Sequence, residues 1–101
     1  MRISIEYGSN LHTTVIATWP FARLEIKGDT LLLSWKILFF HQAFALRKSD
    51  ISNIIIQHNV LVAKIVIVHE NSGCPPYLAI RAFKANGDLL FQSLQKWISS
   101  A

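Results

Sequence analysis

Asn86-Gly87-Asp88-Leu89-Leu90-Phe91-Gln92-Ser93-Leu94-Gln95-Lys96-Trp97-Ile98 is the one stretch of this 101-residue chain with helical spacing. Leu90, Phe91, Leu94, Trp97 and Ile98 recur at the three- and four-residue steps that place apolar side chains on one stripe. Gln92, Gln95, Lys96 and Ser99 take the other side. Asn86 is expected to cap the helix, Asp88 to sit at the positive end of its dipole and Lys96 at the negative end. A helix this short is not stable alone, so its stripe must dock on an apolar surface.

Working back from the helix, the chain alternates short runs of Ile, Val, Leu, Phe and Thr with turn signals. These signals are Gly8-Ser9-Asn10, Trp19-Pro20, Gly28-Asp29, Lys48-Ser49-Asp50, His58-Asn59, Asn71-Ser72-Gly73 and Asn86-Gly87. The clearest hairpin spans Phe21 to Trp35. Leu24 and Ile26 alternate with Arg23, Glu25 and Lys27, and Leu31, Leu33 and Trp35 with Thr30, Leu32 and Ser34. Gly28-Asp29 joins the arms, because glycine accepts a positive φ without a steric penalty. Val60 to Val68 is apolar on both faces, which requires cover from a second layer or another subunit; a subunit contact over part of it is expected.

The tally is about seven sequential antiparallel strands and one closing helix. A bent barrel capped by that helix is expected, with Phe91, Leu94 and Trp97 plugging its open end. The whole chain, 1–101, reads as one domain with its core in about 14–100.

Composition narrows the function classes. Apolar and aromatic residues make up 51% and charged residues 16% of the chain. So few surface charges do little to hold copies apart, which favours a homo-oligomer. Net charge is +4, yet the basic residues are scattered along the sequence, with only Arg47-Lys48 adjacent. No nucleic-acid partner is expected without a basic stripe interleaved with aromatics. The N-terminus lacks the apolar run of a signal peptide, and no apolar run is long enough to span a bilayer; a cytoplasmic protein is expected.

No catalytic motif stands out. His12, His41, His58 and His69 share no zinc-site spacing, and the lone Cys74 permits neither an internal disulfide nor a cysteine-rich metal site. The carboxylates are dispersed, and the four glycines are placed in turns, with no phosphate-cradling loop. Neither an enzyme nor a cofactor is expected.

Trp19-Pro20-Phe21-Ala22-Arg23-Leu24-Glu25-Ile26, Leu31-Leu32-Leu33 and Phe44-Ala45-Leu46-Arg47-Lys48-Ser49-Asp50-Ile51-Ser52-Asn53-Ile54 together resemble the pleckstrin-homology-like superfamily. Within it they look like small bacterial PH-like and GRAM-like domains. Pro76-Tyr77-Leu78-Ala79-Ile80 and the terminal helix are similar to the family's closing strand and capping helix. The likeness covers most of residues 14–100 and implies a mainly β, PH-like bent antiparallel barrel with a binding rather than a catalytic role.

Phosphoinositide-binding members use a basic first hairpin loop. Here that loop holds Lys27-Gly28-Asp29-Thr30, which departs from the dense basic pattern.

The expected function is therefore a non-enzymatic binding or assembly module, acting on itself or on another protein. Trp19, Phe39, Phe40, Val62 and Val66 are the candidate interface. The alternative is a peripheral membrane domain that meets anionic lipid head groups through Arg23, Lys27, Lys36, Arg47 and Lys48. A small enzyme with a histidine-based site is third.

Overall fold

The computed structural model describes residues 2–10, 13–18, 21–37 and 39–100, with the side chains at 10, 13, 37 and 40 outside that description. The strands are β1 (Ile3–Asn10), β2 (Thr13–Ala17), β3 (Ala22–Lys27), β4 (Thr30–Ile37), β5 (Phe40–Arg47), β6 (Ile51–His58), β7 (Val62–His69) and β8 (Tyr77–Phe83). A 3-10 turn, Lys48–Asp50, precedes β6, and α1 (Lys84–Ser99) ends the fold.

The chain is mainly β with a single C-terminal helix. All pairings are antiparallel and form a five-stranded sheet, β2-β1-β8-β7-β6, and a three-stranded sheet, β3-β4-β5. Among the described residues, the expected barrel of about seven strands is instead eight strands in two sheets that do not close on each other. The chain leaves the large sheet after β2, builds the small one with two hairpins, and returns through the 3-10 turn.

The Gly28-Asp29 hairpin forms as expected, with Lys27 opposite Thr30 and Gly28 at φ 58°. Leu31, Leu33 and Trp35 are buried and Leu24 is half-buried, whereas Ile26 stays exposed near the tip. Side-chain amides set other turns. Asn59 Oδ1 accepts from the Leu61 and Val62 amides at 3.1 and 2.8 Å, and Asn71 Oδ1 accepts from the Gly73 amide at 2.8 Å.

The core lies on the inner face of the large sheet. Ala17, Ile5, Ile80, Ile65 and Ile56 align across its five strands. The small sheet covers this face beside β1, where Tyr7 stacks on Trp35 with ring centroids 4.5 Å apart and Phe44 meets both rings edge-on. The helix covers it over β7 and β8.

The helical stripe docks as its spacing predicts. Leu90 and Leu94 are buried, and Phe91, Trp97 and Ile98 pack half-buried against the core. Trp97 Nε1 also donates to the Gly28 carbonyl at 2.8 Å, which fastens the helix to the tip of the first hairpin.

The helix start departs from the expectation. Asn86 lies inside the first turn rather than at the cap, and Phe83 holds the N-cap position without a side-chain cap bond. The Lys84 amide donates instead to the Leu61 carbonyl at 2.9 Å, so β8 runs directly into α1 and needs no capping turn. Asp88 is consequently deeper in the helix and meets His58 at 2.6 Å. Gly87 is helical and buried, and Gly8 belongs to β1, so neither is a turn glycine.

Among the described residues no helix is long and apolar enough to cross a membrane.

Candidate functional site

Folding assembles what the sequence disperses. In β3 the odd positions Arg23, Glu25 and Lys27 share one face, because side chains alternate along a strand. Arg23 stands opposite Ser34 and Lys27 opposite Thr30 in β4. Lys36 stands opposite His41, and Thr30 opposite Arg47, in β5. Arg23, Lys27, Lys36 and Arg47 therefore all project from the outer face of the small sheet.

Against these four cations the face carries one carboxylate, Glu25, for a net +3 of the chain's formal +4. Glu25 lies 3.5 Å from Lys27, in an exposed pair worth little in water. Arg23 and Lys36 have no ion pair among the described residues. Small side chains, Ser34, Ala43 and Ala45, occupy the middle of the face and leave it hollow. A cavity of about 580 Å³ opens there, lined by Phe21, Arg23, Leu32, Ser34, Lys36 and His41, among others.

Lys48, the fifth candidate cation, is held elsewhere. Its Nζ donates to the Ser100 carbonyl and hydroxyl at 3.1 and 2.8 Å and lies 5.4 Å from the Trp97 ring centroid. Together with Arg47 it borders a separate groove of about 420 Å³ beside Asp29.

The candidate interface residues do not converge. Phe39, 99% exposed, stands at the β4–β5 turn, at the end of the basic face nearest Lys36 and His41. Val62 and Val66 are half-buried on the outer face of the other sheet. Trp19 lies outside the described residues, as does the side chain of Phe40.

The predicted strand from Val60 to Val68 also divides. Val60 and Leu61 belong to an exposed turn, and β7 covers only one of its faces, through Ala63, Ile65 and Ile67. Its other face is not purely apolar, since Lys64 interrupts it directly opposite Arg81 of β8.

The histidines are separated. His58 meets Asp88, while His69 Nε2 donates to the Pro75 carbonyl at 2.8 Å and its Nδ1 accepts from the Asn71 amide at 3.1 Å. His12 lies outside the described residues, among which no cluster of histidine, cysteine and carboxylates could hold a metal.

Cys74 is buried beneath β5, with Sγ 3.7 Å from the Ala45 carbonyl. Burial, then the charge of Asp50, pushes its thiol above the ordinary range. A raised pKa means less thiolate at neutral pH, so iodoacetamide should label folded Cys74 at least about tenfold more slowly than the urea-unfolded chain. Equal rates in the two states would contradict this burial.

The sequence named Arg23, Lys27, Lys36 and Arg47 as candidate lipid contacts but not that they share one face, and it singled out none of Arg2, Lys64 and Arg81 on the large sheet. The signal was present only as period-two alternation within each strand. Comparison with family models, curated proteins and solved structures finds no match for the chain.

Proposed function

We propose that this chain is a non-enzymatic binding module that docks on anionic lipid head groups through the outer face of β3-β4-β5. The observation that carries the reading is the gathering of Arg23, Lys27, Lys36 and Arg47 on one face against the single carboxylate of Glu25. A Lys or Arg close to an anionic leaflet contributes about 1 kcal/mol, so a net of three gives roughly a hundredfold in partitioning. The exposed Phe39 and Phe21 at the same end of the face add apolar contact suited to the head-group boundary. The anionic leaflet implied is the cytoplasmic one of a bacterial cell, as the PH-like resemblance of the sequence implies.

Co-sedimentation with phosphatidylserine-containing vesicles tests the reading. Binding should be strong at low salt, fall steeply as salt rises, and be absent with neutral phosphatidylcholine. Arg23→Glu with Lys36→Glu should abolish it while leaving the urea midpoint near that of the parent, because both residues are exposed. Unchanged sedimentation of the double variant would overturn the assignment of this face.

A second reading, assembly with another copy or another protein chain, is favoured by the free edge of β2, where Val15 and Ile16 are exposed. It predicts a dimer or larger species by light scattering at micromolar protein, and a monomer throughout that range counts against it.

A further inference from the structure

The outer face of the large sheet carries a second, unexplained concentration of charge. Ser4, Arg81, Lys64 and Gln57 form one row across β1, β8, β7 and β6, which sets two cations directly opposite each other on neighbouring strands. Like charges in that relation destabilise a sheet. Lys64 relieves part of the conflict by leaning away: its Nζ lies 3.9 Å from Glu6 Oε2 and 5.6 Å from the Tyr77 ring centroid. Glu6 is nearly buried, and its Oε1 accepts from the Thr14 hydroxyl at 3.2 Å. Glu6 Oε2 makes no hydrogen bond among the described residues, and the cation it faces is Lys64 and not Arg81.

Arg81 is left half-buried, with no hydrogen bond or ion pair among the described residues. A guanidinium has five donors and no way to shed its charge, so it is costly to hold partly desolvated beside another cation. Two cavities, of about 370 and 230 Å³, both reach Arg81 and Val62. The larger is also lined by Arg2 and Ser4, which stand between Ile16 and Thr18 on the β2 side and Phe83 on the β8 side, with no acidic residue in its wall. Its size is that of a small-ligand site, and the apolar Phe83–Val62 pair lies next to the Arg81–Lys64 pair on the same two strands.

We propose that this groove binds an amphiphilic oxyanion, a phosphate or carboxylate head with a short apolar tail. The head pairs with the Arg81 guanidinium, which matches the planar geometry of such groups. The tail lies along Val62 and Phe83, which face each other on β7 and β8. The site is independent of the basic face on the small sheet, since the two share no residue. A bound anion also relieves the opposition of Lys64 and Arg81, so occupancy stabilises the fold.

Calorimetric titration of the full chain at fixed ionic strength tests this, with octyl phosphate and octanoate below their micelle concentrations. Inorganic phosphate, acetate and octanol serve as the headless or tailless controls. At least one of the two amphiphiles should bind at least about tenfold more tightly than its tailless anion and than octanol. Arg81→Gln should weaken it at least about tenfold without lowering the urea midpoint of the unliganded protein, because the substitution removes a like-charge pair. Phe83→Ala should erase most of the gain from the tail, whereas Arg23→Glu with Lys36→Glu should leave binding unchanged. Absence of binding by both amphiphiles, or binding indifferent to both Arg81→Gln and Phe83→Ala, would overturn the proposal. Because the reversed charges lie on the other sheet, failure on vesicles and failure here are separate results.

Discussion

Gly87→Ala should lower the urea midpoint of this protein, although alanine is the better helix former. In an exposed helix interior the exchange would stabilise by about 1 kcal/mol. Here a Cβ at position 87 would come within 2.5 Å of the Ala63 Cβ on β7. Ala63 is fully buried in a strand paired on both sides, and its Cβ is fixed to that backbone, so the helix must lift instead. Overpacking of this kind costs about 1–3 kcal/mol and exceeds the gain in propensity. Gly87→Val should cost more. Asn86→Ala, one residue earlier, should be neutral or mildly stabilising, since Asn86 is not the cap. A midpoint that rises for Gly87→Ala would refute the close approach of helix and sheet.

Ile80→Ala should be more damaging, with a loss of about 4 kcal/mol in chemical denaturation. Ile80 is fully buried at the centre of the large sheet, opposite Ile5 on one side and Ile65 on the other. Rigid strands on both flanks leave little freedom to collapse onto the cavity. Set against the 5–15 kcal/mol typical of a domain, such a loss removes a large part of the stability. Ile55→Ala in β6 of the same sheet provides the contrast. Ile55 faces outward and is 43% exposed, so its truncation should cost well under half as much. Similar losses at the two positions would mean that the inner and outer faces have been misassigned.

The helix shows how far local pattern reaches. The stripe of Leu90, Phe91, Leu94, Trp97 and Ile98 was legible because a helix repeats its faces whatever it packs against. Its first residue was not legible, since the partner of the Lys84 amide is a carbonyl supplied by a distant turn. The Gly28-Asp29 hairpin was equally readable, because its register is set within two residues of the turn. Closure into a barrel was not, because it depends on how two sheets meet.

The same division governs the candidate sites. Alternation within β3 places Arg23 and Lys27 on one side, and alternation within β4 and β5 does the same for Lys36 and Arg47. Which sides coincide depends on strand pairing between residues far apart in the chain. Arg81 is an extreme case: its opposition to Lys64 exists only because β7 and β8 pair in one register. A one-residue slip of β7 would turn Lys64 to the other face and end its opposition to Arg81.

By itself, then, the sequence determined the period of each segment, the first hairpin, the docking stripe of the helix and the excess of positive charge. Those properties arise from neighbours along the chain. Tertiary structure alone decided that the strands form two unclosed sheets and that β8 enters the helix without a cap. It also decided that scattered cations become two basic faces, because strand order and register are fixed by burial of the shared core and not by any local segment.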